Sequence, residues 1–358
     1  MTISHDSSFM GLRNATRLID SLDNVRVLTI INDHWGEEPW TPDEIDNISK
    51  LSSVEVLRLQ GDSSMVVRLL EAFPKLHSFQ LSQTEYGLTT RGVQMSLHNQ
   101  TLSRKVALRF LSLPNLESSV NSSIVELFTG PKFDYTNLQS LKLDSRIPFG
   151  HVPQEHQADS FLKKCGQHVQ NLTFVFPSHS LLNNGTLPKF FLSNDLFFKF
   201  QPLSQGLSRL SSLSAPGLQS ITLDVFLFLR YSWRSIFTDL KALPEWGPLD
   251  DFLSKSDSLP SLTELQVRFS IDLDVPFLNF TYTEVDLKNI SRREIETPIQ
   301  QRLSQILESC LPRTHRSGKL RVAFRTIVFK SLSILGQRAS SWNEGRPGTG
   351  VMSYAFEV

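Results

Sequence analysis

The sequence predicts an α/β fold in which short parallel strands alternate with helices in one stacked array. Three observations support this: a six-residue apolar phrase recurs along the chain, turn-forming segments precede it, and amphipathic stretches lie upstream of those turns. The length of 358 residues suits two ordinary domains or one elongated array, and 40% apolar residues allow a sizeable core. Basic and acidic residues number 36 each, so no overall charge recruits nucleic acid or an anionic membrane.

The recurring phrase has the form Φ-x-x-Φ-x-Φ, where Φ is an apolar residue. The alternation at its end is typical of a strand with one buried face. Three copies share Leu-x-Ser-Φ, which indicates internal repetition. The six clear copies span residues 25–30, 54–59, 76–81, 138–143, 218–223 and 262–267, with weaker echoes at 172–176 and 320–324.

Turns and helices complete the repeating unit. Lead-ins such as Phe73-Pro-Lys75 and Ala215-Pro-Gly217 combine turn-forming residues with an apolar anchor, which predicts a loop entering each strand. Pro42 and Pro298 suit the first turn of a helix, and apolar residues after Pro298 recur at helical spacing. The predicted helices cover residues 9–22, 42–51, 64–73, 122–128, 156–169, 233–243 and 298–311.

This helix, turn and strand unit resembles the leucine-rich repeat. Its irregular spacing and phrases such as Leu259-Pro-Ser-Leu-Thr-Glu-Leu-Gln-Val267 resemble the repeat portion of fungal F-box-like proteins. The resemblance implies an irregular leucine-rich-repeat solenoid, with parallel strands on the concave side and helices on the convex side. The family's Asn after the strand phrase is replaced here, so its ladder of Asn side chains is not expected. The predicted organisation is a degenerate solenoid with long insertions over residues 1–330 and a C-terminal cap or flexible tail over 331–358.

The same resemblance implies the receptor half of a larger assembly. Fungal F-box-like proteins join an F-box, which binds a Skp-type ubiquitin-ligase adaptor, to repeats that hold the substrate. No Leu-Pro-x-Glu phrase followed by an apolar helix occurs near the N-terminus, so adaptor binding is expected only if an F-box is missing from this chain. We therefore expect a protein–protein interaction scaffold, and more specifically the substrate-recognition part of an SCF-type ubiquitin-ligase adaptor that holds a ubiquitination substrate.

The expected binding surface is the exposed face of the strands. Residues at the third and fifth positions of each phrase alternate with the apolar ones and should point out from the concave sheet. These rows are mostly polar or small and contain no consistent acid–base pair, which favours protein binding over catalysis. The predicted partner-binding residues are the fifth positions Thr29, Arg58, Gln80, Lys142, Thr222 and Gln266.

A hydrolase or transferase of irregular α/β fold is the alternative function. Cys165 and His168 lie three residues apart on a predicted helix, as a thiolate–imidazole pair would. A structural cysteine facing the core is the simpler interpretation. Asp272 and Asp274 share one face of a strand, where a solvated surface is simpler than an acid–base pair.

The remaining motifs predict no catalytic residue, metal site or cofactor. His151 and His156 do not form a His-Glu-x-x-His phrase, and Gly345-Arg-Pro-Gly-Thr-Gly350 lacks the Lys-Ser/Thr ending of a phosphate loop. Residues 288–338 contain 11 basic and three acidic residues. The segment has no RNA-binding phrase of stacking aromatic residues, so solvated faces and a protein contact are expected rather than nucleic-acid binding.

The chain is expected to be intracellular, in the cytoplasm or nucleus. Its N-terminus lacks an apolar leader, and no run approaches the roughly 20 apolar residues of a membrane span. No membrane partner is therefore predicted. The two cysteines, Cys165 and Cys310, allow at most one disulfide and cannot build a four-cysteine metal site.

Overall fold

The described part of the chain divides into two compact units. The first comprises Met1–Val175, Arg209–Thr222 and Lys255–Leu265, and the second comprises Phe176–Ser208, Leu223–Ser254 and Gln266–Val358. Within these bounds, the computed structural model describes residues 2–5, 24–32, 42–60, 66–82, 102–113, 122–144, 161–176, 201–210, 213, 215–228, 233–255, 259–274, 297–331 and 353–357.

The main strands of the first unit pair in parallel and follow the order of the chain. They are β1 (Thr2–His5), β2 (Val27–Asn32), β3 (Val56–Gln60), β4 (Ser78–Ser82), β6 (Phe110–Leu113), β8 (Ser140–Asp144) and β9 (Asn171–Phe176). Each of these strands hydrogen-bonds to the next one named. Two short strands, β5 (Val106–Ala107) and β7 (Phe133–Asp134), form a separate parallel pair. The predicted α/β class with parallel strands is confirmed.

The second unit contains the longer strands of the chain. Strands β10 (Ser220–Phe228) and β11 (Glu264–Asp274) begin in the first unit and continue into the second. They are followed in sheet order by β12 (Leu320–Ser331) and β13 (Ser353–Glu357), which pair antiparallel. Strand β13 falls in the segment predicted to be a cap or tail. The boundary at residue 330 stays a prediction.

The phrase sets the register of the first unit. In each of the six predicted phrases the strand begins at the third residue, and the fourth and sixth residues are buried. In the first unit, the residues at this fourth position on β2, β3, β4, β6, β8 and β9 pair across neighbouring strands and are exposed by 2% or less. These are Leu28, Leu57, Phe79, Leu111, Leu141 and Leu172. A one-residue slip would turn this apolar row to the opposite face, so burial fixes the register.

A ladder of backbone carbonyls joins successive phrases. The carbonyl of the second phrase residue accepts hydrogen bonds from the N–H groups of the second and third residues of the next phrase. Arg26, for example, accepts from Glu55 and Val56, both at 2.9 Å. The seven accepting residues are Arg26, Glu55, His77, Arg109, Gln139, Gln170 and Gln219. Because this geometry uses main-chain atoms, it tolerates the variable side chains at these positions.

The predicted lead-ins form turns. The N–H of Leu76 donates to the carbonyl of Phe73 at 3.2 Å, and that of Leu218 donates to the carbonyl of Ala215 at 3.0 Å. The N–H groups of Val54, Leu138 and Leu262 likewise donate to the carbonyl three residues earlier in the chain. This is the hydrogen bond that closes a β-turn, so each apolar anchor marks the point where the chain turns into a strand.

Helices account for most of the predicted amphipathic stretches. They are α1 (Pro42–Ser49), α2 (Val66–Ala72), α3 (Ser122–Thr129), α4 (Gln201–Leu210), α5 (Trp233–Lys241), α6 (Trp246–Ser254), α7 (Thr297–Cys310) and α8 (Pro312–Arg316). The predicted helix over 9–22 lies outside the described residues. None of the described helices is both long and apolar enough to cross a bilayer.

In the first unit, aromatic side chains join the helices to the buried face of the sheet. The ring of Phe79 on β4 lies 5.9 Å from that of Phe128 on α3, and Phe128 meets Phe133 edge to face at 5.0 Å. The Phe133 ring in turn contacts Tyr135, whose hydroxyl donates to the carbonyl of Phe128 near the end of α3. The helix therefore covers the face that carries the fourth phrase positions.

In the second unit, a buried carboxylate fixes the start of α8. The Leu311 position before this helix provides no side-chain cap. Asp250 on α6 instead accepts hydrogen bonds from the N–H groups of Arg313 and Thr314, at 3.0 and 2.9 Å, and from the Thr314 hydroxyl at 2.7 Å. Asp250 is 4% exposed and Thr314 is fully buried. The carboxylate satisfies N–H groups that the first turn of a helix leaves without partners.

Candidate binding face

The fifth phrase positions of the first unit align in one row across the strands, on the face opposite the buried fourth positions. Register pairs Thr29 with Arg58, Arg58 with Gln80, and Lys142 with Thr173. Ser112 on β6 stands between Gln80 and Lys142. We call the aligned residues the fifth-position row: Thr29, Arg58, Gln80, Ser112, Lys142 and Thr173. The structure thus brings four of the six predicted partner-binding residues into one row.

Two members of this row were missing from the sequence prediction. Ser112 lies in a complete phrase, Leu108-Arg-Phe-Leu-Ser-Leu113, and Thr173 lies in a second, Val169-Gln-Asn-Leu-Thr-Phe174. The first phrase was not recognised and the second was read only as an echo. Both were detectable from the same apolar spacing. Ser112 is 4% exposed, so its short side chain is largely covered by its neighbours.

The residues at the third phrase positions form a second row beside the fifth-position row. Their side chains change from apolar to polar along the sheet. Val27 on β2 is 41% exposed, and Val56 and Phe110 are half-buried. Further along, the amide of Asn171 donates to Ser140 Oγ at 3.3 Å, and Ser220 donates to Asn171 Oδ1 at 2.7 Å. One end of this face therefore offers apolar contact and the other offers hydrogen-bonding groups.

Thr222 extends the face of the first unit, whereas Gln266 belongs to the second unit. Thr222 lies two residues after Ser220, so strand alternation places it on the same face as the Ser220 side chain. Gln266 Oε1 accepts a hydrogen bond from Arg268 at 3.1 Å, and Arg268 lies 3.8 Å from a carboxylate oxygen of Asp224.

Asp224 is the centre of a polar cluster that the sequence did not reveal. Besides facing Arg268, its carboxylate accepts a hydrogen bond from Ser270 Oγ at 3.2 Å. Ser270 is 1% exposed. Ser270 stands at the position that the family's Asn would occupy, and its hydroxyl bonds the neighbouring strand's side chain. The partners are 46 residues apart in sequence, so no local pattern joins them.

Cys165 and His168 do not share a helix, contrary to the sequence expectation. The helical residues end at 165, and Gly166 to His168 form a turn that leads into the phrase beginning at Val169. Cys165 is fully buried, and burial raises the pKa of its thiol to about 12. His168 is exposed. A protonated, buried thiol is a poor nucleophile at neutral pH, so this position has the properties of a core side chain.

Thiol labelling tests this assignment. A thiol reagent at pH 8 should leave Cys165 unmodified in the native chain and modify it after unfolding in urea, because only the thiolate reacts and the side chain is buried. Intact-protein and peptide mass spectrometry would locate the label, with Cys310, which is partly exposed, as the internal comparison. Rapid native labelling of Cys165 would contradict the assignment.

The other sequence candidates remain predictions or fall outside the described part. His151, His156 and the segment Gly345–Gly350 lie outside the described residues, as do the side chains of Asp272 and Asp274. No group of three or more His, Cys, Asp or Glu that could hold a metal ion occurs among the described residues. Exposed basic side chains of the 288–338 segment include Arg302, Arg313, Arg316 and Arg321.

Comparison of the chain with protein-family models found no matching family, and comparison with curated proteins found no match.

Proposed function

We propose that this protein is a non-enzymatic protein–protein interaction scaffold whose partner lies on the exposed sheet face of the first unit. The observation that carries the proposal is the in-register row of short and polar side chains opposite a row of buried apolar ones. Parallel strands present such rows at regular spacing, which suits recognition of a broad protein surface. The row contains no pair of groups arranged as acid and base.

We further propose that the first unit is an irregular leucine-rich-repeat solenoid with its strands on the concave side. Phrases begin at residues 25, 54, 76, 108, 138 and 169, so successive units are 22 to 32 residues long. Leucine-rich repeats measure about 20–29 residues. The repeated carbonyl ladder and β-turns support one structural unit copied along the chain.

The more specific proposal is the substrate-recognition part of an SCF-type ubiquitin-ligase adaptor, acting in the cytoplasm or nucleus. It rests on the resemblance to fungal F-box-like proteins. The partner held on the sheet would then be a ubiquitination substrate, and a Skp-type adaptor would bind only through an F-box not found in this sequence.

Reversal of two charges tests the binding face. Purification of tagged Arg58→Glu/Lys142→Glu protein from cells should recover at least about tenfold less of the partners captured by the unchanged protein, since attraction at both sites becomes repulsion. Quantitative mass spectrometry would compare the two captures. Circular dichroism should show the same fold and melting temperature for both proteins.

The matched control reverses two exposed lysines away from the row, Lys75 and Lys163. Lys75→Glu/Lys163→Glu has the same net charge as the test variant and should retain the partners. Equal capture by test and control variants would refute the face assignment. Co-purification of a Skp-type adaptor with the unchanged protein would support the ligase role, and its absence from a capture rich in other partners would refute that role.

A further inference from the structure

Two cations, Arg58 and Lys142, lie on the binding face. Among the described side chains at the third, fifth and seventh phrase positions of β2 to β9, Arg58 and Lys142 are the only charged groups. Asp144, at the end of β8, lies outside the described side chains.

The separation of the two cations follows from the register. Arg58 pairs with Gln80, Gln80 with Ser112, and Ser112 with Lys142. Three steps between neighbouring strands, of about 4.8 Å each, place the two backbone positions roughly 14 Å apart. An extended peptide advances about 3.3 Å per residue, so this span matches about four residues.

The groups between the cations are short and uncharged. Gln80 is half-buried and Ser112 is 4% exposed, and neither carries a charge that would oppose a carboxylate. The Gln80 amide and the Ser112 hydroxyl can each donate or accept a hydrogen bond. A peptide backbone laid across the strands would meet the half-buried Gln80 amide between the cations and one cation at each end.

From this geometry we propose that the partner presents an extended acidic segment with two carboxylates about four residues apart, which lies across β3, β4, β6 and β8. The inference rests on the proposed function and specifies its partner class. One carboxylate meets Arg58 and the other meets Lys142. Nucleic acid is disfavoured because the described side chains of this face include two cations and no row of stacking aromatic residues.

Fluorescence anisotropy with synthetic peptides tests the spacing. The probe is a short labelled peptide of Ser, Thr and Ala with two glutamates at positions i and i+4, titrated with the full chain. It should bind up to about fivefold more tightly than a peptide of the same composition with the glutamates adjacent, because the adjacent pair can reach only one cation and each exposed ion pair contributes up to about fivefold. The preference should shrink when salt is raised to 0.5 M.

Neutral variants check that the row is responsible. Arg58→Gln/Lys142→Gln keeps polar side chains of similar length, so the fold should persist, and binding of the i, i+4 peptide should weaken by about tenfold. Unchanged affinity of this variant, equal affinity for the adjacent-glutamate peptide, or tighter binding of a single-stranded oligonucleotide or a phosphatidylserine vesicle would overturn the inference.

The outcomes separate this inference from the proposed function. If no acidic peptide binds while the Arg58→Glu/Lys142→Glu protein still loses its cellular partners, the acidic-segment inference fails and the binding face stands. If the peptides bind as expected while cellular capture is unaffected by the double reversal, the face recognises the peptide chemistry but the proposed scaffold role fails.

Discussion

Replacing Leu141 with alanine should lower the free energy of unfolding by about 2–5 kcal/mol, the range typical of a buried leucine truncated in a packed core. Leu141 is 1% exposed and stands between Leu111 and Leu172 in the fourth-position row. Truncation leaves a cavity on the face where α3 and its aromatic neighbours pack. A loss of this size is large against the 5–15 kcal/mol that stabilises an ordinary domain.

Urea unfolding followed by circular dichroism would measure the loss, and hydrogen-exchange mass spectrometry would show whether strands β6, β8 and β9 lose protection first. The neighbouring residue provides the control, because Lys142 points to the opposite face. Lys142→Ala should change stability by no more than about 0.5 kcal/mol. Equal effects of the two substitutions would show that the phrase does not separate a buried face from an open one.

Replacing Asp250 with alanine should destabilise the second unit by about 3–5 kcal/mol, the range typical of removing one partner from a buried polar interaction and leaving the other groups unsatisfied. The substitution leaves the N–H groups of Arg313 and Thr314 and the Thr314 hydroxyl without their acceptor. Helix α8 should fray, and amide exchange over Pro312–Arg316 should accelerate.

The adjacent carboxylate is a stringent control for this effect. Asp251 pairs with Arg313 at the surface, where both side chains are more than half exposed. Asp251→Ala should cost less than about 1 kcal/mol, as exposed ion pairs do. The stability loss of Asp250→Asn should lie between those of Asp250→Ala and Asp251→Ala. One side-chain oxygen remains as an acceptor, but the amide group is a donor that faces N–H groups. A neutral result for Asp250→Ala would show that α8 needs no cap from α6.

The strand faces were predictable because they depend on local alternation. Every clear phrase places its fourth and sixth residues in the core. In the five lead-ins that the structure describes, the turn begins at the predicted apolar anchor. The phrases at Leu108 and Val169, which the six predicted copies do not include, follow the same rule of apolar spacing.

Several helices were missed because their sequences contain residues that usually interrupt helices. Helix α4 contains Gly206, and a Cβ there would lie 2.4 Å from the ring of Phe176. Glycine therefore serves close packing inside this helix, which no periodicity reveals. Helix α6 contains Gly247 and Pro248 in its first turn, where proline is tolerated.

The polar contacts of the second unit were beyond local reasoning. Asp250 and Arg313 are separated by 63 residues, and Asp224 and Ser270 by 46. Taken alone, each of these polar residues is of a type that usually lies at the surface. Only the packing of α6 against α8, and of β10 beside β11, gives these groups their partners.

The main-chain link between phrases has an evolutionary consequence. One carbonyl of each phrase accepts hydrogen bonds from two N–H groups of the next phrase, and no particular side chain takes part. A duplicated stretch of gene encoding one such segment would carry both halves of the junction with it. The number of strands can therefore grow or shrink in descendants while the side chains on the exposed sheet face vary without disturbing these junctions.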